Sequence, residues 1–245
     1  MAETPTRSDR VLVILPAYNE AGKVGRVVEK VSAIGAADEI LVADDCSTDG
    51  TAAEARAAGA TVITHSRNMG VGAGIRTGIQ YGRKNGFAIA VVMSGDDQHE
   101  PKELPMVLAR IRENPAHFVQ GSRRLKGGAA VNAPLFREIT TRMYSLAFTI
   151  FAGQRITDGT NGFRAFYLSI FDDPFFDLDQ DWLNTYELEP YLLYKAIRSP
   201  KIKVVEVPIT VYYRGSSKTY TKMKPFRDWW RLARPLLYLR FGLRR

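Results

Sequence analysis

Four consecutive polar residues, Asp96, Asp97, Gln98 and His99, close the apolar run Phe87 to Met93. A carboxylate pair after such a run is by itself an ordinary solvated turn. Two other apolar runs end in the same way, however. Arg10 to Leu15 leads into Pro16-Ala-Tyr-Asn-Glu20, and Glu39 to Ala43 leads into Asp44-Asp-Cys-Ser-Thr-Asp-Gly50. Hard oxygen donors of this kind suit Mg2+ or Mn2+ held together with substrate phosphates. An ion there would neutralise a departing diphosphate, which is Lewis-acid and electrostatic catalysis. Carboxylates alone do not name the reaction, and the chain has no glycine-rich Walker loop. A lone histidine beside them reads as structural more readily than as a general base.

These residues need a frame that brings three loop tips together. Arg10–Leu15, Glu39–Ala43, Ala60–Thr64 and Phe87–Met93 are short, β-rich apolar runs that read as buried strands. Between them, Glu20–Ala33, Asp49–Ala58 and Val71–Lys84 read as helices. Val24, Val27, Val28 and Val31 recur at helical spacing in the first, and Gly59 closes the second. Strands alternating with helices predict an α/β, mostly parallel, doubly wound sheet. Such sheets bind ligands beyond the carboxyl ends of their strands, where the three polar clusters fall. Further on, a helix is expected over Glu103–Glu113, a short strand over Phe118–Gly121 and a mobile loop over 122–134. A helix follows over Ala133–Ala152, then a turn and strand over 157–168. Val204–Tyr213 alternates as a strand, with Pro208 pointing to a sheet edge.

At 245 residues, with 45% apolar and 24% charged residues, the chain has a globular composition. Its single cysteine, Cys46, excludes an internal disulfide and any cysteine-rich metal site, and fits a reducing cytoplasm. The first ten residues are polar, so no secretory signal is expected. The longest apolar run is seven residues, far short of the roughly 18 that a spanning helix needs. A formal net charge of +8 implies an anionic partner. The basic residues concentrate at the end of the chain, with ten between Arg214 and Arg245 against one acid, Asp228.

The motifs resemble those of family 2 glycosyltransferases of the GT-A fold. The first are Leu15-Pro-Ala-Tyr-Asn-Glu20, Val42-Ala-Asp-Asp-Cys-Ser-Thr-Asp-Gly-Thr51 and Arg67-Asn-Met-Gly-Val-Gly-Ala-Gly74. The series continues through Ser94-Gly-Asp-Asp-Gln-His-Glu-Pro101, Gly121-Ser-Arg-Arg124, Asp158-Gly-Thr-Asn-Gly-Phe-Arg-Ala165 and Glu206-Val-Pro208. With Gly215-Ser-Ser-Lys218 the match is in order over roughly residues 11–220 and is similar to the dolichyl-phosphate mannose synthase, or polyprenyl-phosphate glycosyltransferase, branch. The resemblance implies that Pro16, Tyr18 and Glu20 line the nucleotide pocket and that Asp45 contacts the base or ribose. It implies Asp96 and Gln98 as ligands of Mg2+ or Mn2+, and Arg123 and Arg137 as arginines that gather donor and acceptor phosphates. Arg214 and Lys218 would close over the nucleotide diphosphate. Asp158 and Glu189 read as orienting or structural carboxylates. Where the branch has its first aspartate this chain has Ser94, with an additional acid at Asp97.

The implied reaction is inverting transfer of a sugar from a GDP- or UDP-linked donor to a polyprenyl phosphate. An acceptor phosphate carries roughly −1.5 to −2 charges at neutral pH and needs little help from a base. The planar fork of arginine then matters more. Residues 1–220 are expected to form the transferase domain. Residues 221–245 are expected to form an amphipathic segment of two short helices broken at Pro235, docking at the cytoplasmic face of an anionic membrane. The rival reading of that tail is a helix packed on the protein's own core or a homo-oligomer contact. Nucleic acid is not an expected partner, because no recognition module is present. Rival functions are transfer to a non-lipid acceptor and a non-catalytic nucleotide-sugar-binding homologue.

Overall fold

The computed structural model describes residues 9–213 and 227–244. Its centre is a seven-stranded sheet. The first strand, β1 (Val11–Ala17), is apolar throughout and lies between β2 (Glu39–Asp44) and β4 (Ile89–Val92), parallel to both. β3 (Thr61–Thr64) continues the parallel sheet beyond β2. On the other side β4 pairs antiparallel with β7 (Arg164–Tyr167), which pairs antiparallel with β5 (His117–Ser122). β8 (Lys203–Pro208) forms the edge, parallel to β5. The chain therefore reverses its winding between β1 and β4, and the crevice at that switch point opens beyond Pro16 and Met93.

Because successive side chains of a strand point to opposite faces, the unbroken apolar runs demand cover on both. Val11, Val13 and Leu15 meet the valines of α1 (Val24–Ile34) and the apolar face of α4 (Leu104–Arg112). Leu12 and Ile14 meet Ile75 and Ile79 of α3 (Val71–Lys84). That second layer extends over α5 (Leu135–Ala152), α6 (Leu188–Arg198) and α7 (Arg227–Arg240). The short α2 (Thr51–Ala57) completes the alternation.

Three elements depart from the sequence expectations. The loop expected over 122–134 contains β6 (Ala129–Val131), which pairs with β9 (Thr210–Tyr212), so the single strand expected over Val204–Tyr213 is split after Pro208 between two sheets. Proline supplies no ladder donor, and it ends β8 at the sheet edge. α6 gave no amphipathic signal because it is buried nearly all round, from Leu188 and Tyr191 to Leu193 and Ala196. The tail is one helix, not two: Pro235 sits inside α7. An interior proline costs a helix roughly 3 kcal/mol, yet Leu232, Pro235 and Leu236 are all buried here, and that packing carries the helix through. The Tyr144 hydroxyl of α5 also donates to the Leu232 carbonyl at 2.9 Å, and Arg234 pairs with the buried Glu187.

Candidate active site

The three polar clusters converge. Pro16, Tyr18 and Glu20 from the end of β1, Asp45 from the end of β2, and Asp96 and Gln98 from the end of β4 all line one cavity of about 480 Å3. A second cavity of about 180 Å3 adjoins it and shares Pro16, Ser94, Gln98 and Arg137 with the first. Arg123 lies at this second cavity with Thr160, Glu189 and Tyr213. Arg137, from the first turn of α5, borders both, its guanidinium 5.8 Å from the Tyr213 ring centre. Arg214 and Lys218 lie outside the described residues.

Asp96 is the most chemically pointed of these groups. Burial pushes its carboxyl above the ordinary carboxylate range. The Ser94 hydroxyl, donating to it, pulls partway back, and the nearby Glu20 charge pushes further up. Ser94 thus orients the aspartate instead of adding a second carboxylate. Among the described residues no group of three or more His, Cys, Asp or Glu side chains is placed to hold an ion unaided. Asp96 and Gln98 are nevertheless hard oxygen donors that could hold a divalent cation, which would relieve a desolvated carboxylate. Glu20 forms an ion pair with Lys23 at 2.8 Å, also at the cavity wall.

Asp45 shapes the opposite wall. One carboxylate oxygen accepts from His65 Nδ1 and from the Met69 N–H, each at 2.8 Å, and the other accepts from the Gly70 N–H at 2.6 Å. This gathers the 68–70 turn and the start of α3 to the cavity edge. α3 can approach because residue 72 is glycine; a Cβ there would collide with the backbone carbonyls of Leu183 and Thr185.

Arg123 is committed more deeply than its sequence reading implied. Its Nε and Nη2 donate to the two oxygens of Asp158 at 2.6 and 2.7 Å, while other N–H groups reach Thr160 and the Tyr213 hydroxyl. Burial alone would push the Asp158 carboxyl up, but the guanidinium's bonds outweigh it and hold the carboxyl low. Glu206 secures the same turn by accepting from the Thr157 and Asp158 N–H groups at 3.0 and 3.1 Å. Glu189 pairs with the buried Arg164 at 3.3 Å. His99 is buried, and desolvation, then the nearby Arg123 charge, lowers its pKa from 6.5 to about 4. It is therefore neutral at working pH, and its Nδ1 accepts from the Ser94 N–H at 3.0 Å. It braces the loop that carries Asp96.

Several wall residues were not marked as site residues by the sequence: Thr185, Tyr186, Arg227, Asp228 and Arg231. The last three sit on the tail helix, where their basic and aromatic surroundings suggested a surface role. Asp228, buried and bonded to Arg231 at 3.3 Å, marks them as part of the pocket wall.

The family model described as glycosyl transferase family 2 matches residues 12–177. An undecaprenyl-phosphate mannosyltransferase of Micrococcus luteus is 34% identical, over 85% of this chain and 87% of its own. A polyprenol monophosphomannose synthase of Mycolicibacterium smegmatis is 32% identical, over 86% and 81%. The fold matches that of glucosyl-3-phosphoglycerate synthase from Mycobacterium tuberculosis, crystallised with Mn2+, UDP and glucosyl-3-phosphoglycerate. The TM-score is 0.68 at 18% identity, covering 96% of this chain and 80% of that one. With the motifs in order, the strand tips converged on one cavity and these matches spanning most of its length, the chain belongs to glycosyl transferase family 2 and has the GT-A fold.

Proposed function

We propose that this glycosyltransferase moves a sugar, with inversion, from a GDP- or UDP-linked donor to a polyprenyl phosphate at a membrane surface. The observation that carries the reading is the position of Arg137. It borders both cavities and stands in the first turn of α5, which among the described residues displays an exposed apolar face. Leu135, Phe136, Ile139, Met143, Leu146 and Ile150 are 49–72% exposed. At about 100° per residue they fall within roughly a quarter of the helix circumference. Arg137 itself lies about 150° round the helix from the centre of that stripe and faces the cavities, so a phosphate held there would pass its long apolar chain around the start of α5, past Leu135 and Phe136, to reach the exposed face. The names of the two relatives, an undecaprenyl-phosphate mannosyltransferase and a polyprenol monophosphomannose synthase, agree with it.

In this reading the larger cavity takes the nucleotide. Pro16 and Tyr18 flank it, Asp45 and the 68–70 turn meet base or ribose, and Arg227 and Arg231 add positive charge near the diphosphate. Asp96 and Gln98 hold Mg2+ or Mn2+, which supplies positive charge to the leaving diphosphate when bound. An acceptor phosphate oxygen, oriented by Arg137, attacks the anomeric carbon from the smaller cavity. The bond to the donor's diphosphate breaks as the new one forms, and its electron pair leaves with the nucleoside diphosphate. The attacking oxygen is already ionised, so no base is required and the neutral His99 is not asked to act as one. The Arg123–Asp158 pair fixes the floor on which this happens.

Incubation with polyprenyl phosphate, Mn2+ and a panel of labelled GDP- and UDP-sugars tests the reading. The expected result is label that partitions into organic solvent and depends on the lipid phosphate. Label appearing only on water-soluble acceptors would replace the lipid acceptor, and tight donor binding with no transfer to any acceptor would favour a non-catalytic role.

A further inference from the structure

We propose that Asp97, clasped by Lys30 and Arg26 of α1, is a positioning residue that sets Asp96 and Gln98 for the divalent ion. This rests on the reading above that an ion binds at those two residues. Asp96 and Gln98 line the main cavity on either side of Asp97, which does not. Its carboxylate is buried, 2.6 Å from Lys30 Nζ and 3.5 Å from the Arg26 guanidinium.

The backbone at Asp97 is left-handed, with φ 61°. Aspartate tolerates that region better than most residues, but the conformation still costs about 1 kcal/mol or more and must be held by its surroundings. Other bonds hold the rest of the loop. Among them, the Ser94 N–H donates to His99, and the Tyr212 N–H donates to the Gln98 carbonyl at 2.8 Å. The Asp97 ion pairs add the tie to α1. With a serine at position 94, the loop's ion ligands are Asp96 and Gln98, so a small shift of the peptide between them misplaces both. Lys30 and Arg26 are about half exposed, and water screens their attraction to a surface partner. The clasp matters because its acid is buried: removing the cations leaves a desolvated carboxylate, which drives the loop out toward water.

Mn2+ binding to the full chain, followed by electron paramagnetic resonance with UDP or GDP present, tests the clasp. Asp97→Asn keeps the shape and the left-handed tolerance while removing the charge. Arg26→Gln combined with Lys30→Gln changes only half-exposed residues and keeps the test valid if the first variant fails to fold. Both are expected to weaken Mn2+ roughly 10- to 100-fold, while Lys30→Arg stays near wild type and metal-free nucleotide binding is unchanged. Wild-type Mn2+ affinity in either charge-removing variant overturns the proposal, whatever its melting temperature. Asp96→Asn separates the two layers of inference. If it binds Mn2+ normally, the ion site itself is wrong; if it alone loses Mn2+, only the clasp is.

Discussion

Asp96 is a charge kept at a loss until something positive arrives. Its carboxyl sits above the ordinary range because burial disfavours the ionised form, and Glu20 adds repulsion. The sign for stability follows. A carboxyl raised in the folded state favours the fold below its unfolded value and withdraws that support as pH rises through the folded one. At neutral pH without metal, Asp96→Asn is therefore expected to raise the melting temperature. For a chain of this size each kcal/mol relieved is worth about 2–4 °C. With Mn2+ and nucleotide the order should reverse, since only wild type gains the ion. Calorimetric scans under both conditions check this, and a variant that melts lower than wild type in EDTA would contradict it. Part of this site was legible in the sequence: Asp96 and Gln98 follow a buried strand, and side chains at such positions face the crevice. That Ser94 would serve Asp96 as a donor was not legible, because a hydroxyl's partner depends on loop conformation.

Helices α5 and α7 show how one element can serve both core and surface. On α5, Tyr144 and Phe148 enter the core while Leu135, Ile139, Met143, Leu146 and Ile150 face outward. The helix is thus apolar on two faces, and among the described residues only one is covered. On α7, Leu232 and Leu236 pack inward, Arg227 and Arg231 turn to the pocket, and Trp230 is exposed. Exposed apolar side chains thus stand on α5, at whose start stands Arg137, as well as in the tail at Trp230, Phe241 and Leu243. Met143→Gln with Leu146→Gln should leave the melting temperature nearly unchanged, because both side chains are exposed. The same change should raise the KM for a long-chain polyprenyl phosphate at least tenfold, as burying one such side chain is worth about 1.5–3 kcal/mol. Acceptor titrations decide; an unchanged KM would remove α5 from the acceptor's path. No helix among the described residues is long and apolar enough to cross a membrane.

For the whole molecule, the buried polar braces that join sheet and loops set the response to acid. His99 is held neutral with a pKa of about 4 against 6.5 when exposed. A histidine depressed in the folded state gives stability that is present above 6.5 and lost as pH falls toward 4. Such a depression corresponds to about 3 kcal/mol at most. Asp158, held low by Arg123, adds a loss below the ordinary carboxylate range. Denaturant midpoints measured from pH 7 to 4 should fall more steeply for wild type than for His99→Gln. Parallel curves would show that His99 is not the group responsible.

Patterns with a short period were readable without coordinates. Valines at helical spacing made α1, continuous β-rich runs made β1, β2 and β4, and polar tips after those runs marked the crevice, because local periodicity reflects which faces are buried. Tertiary structure decided what depends on partners distant in sequence. It paired β6 with β9, buried α6 nearly all round, carried α7 through Pro235 and brought Arg231 to a pocket built more than a hundred residues earlier. It also turned Arg123 toward Asp158 and, among the described residues, left one apolar face of α5 exposed. A side chain's type states what it can bond to, and only the folded chain states which of those bonds is already taken.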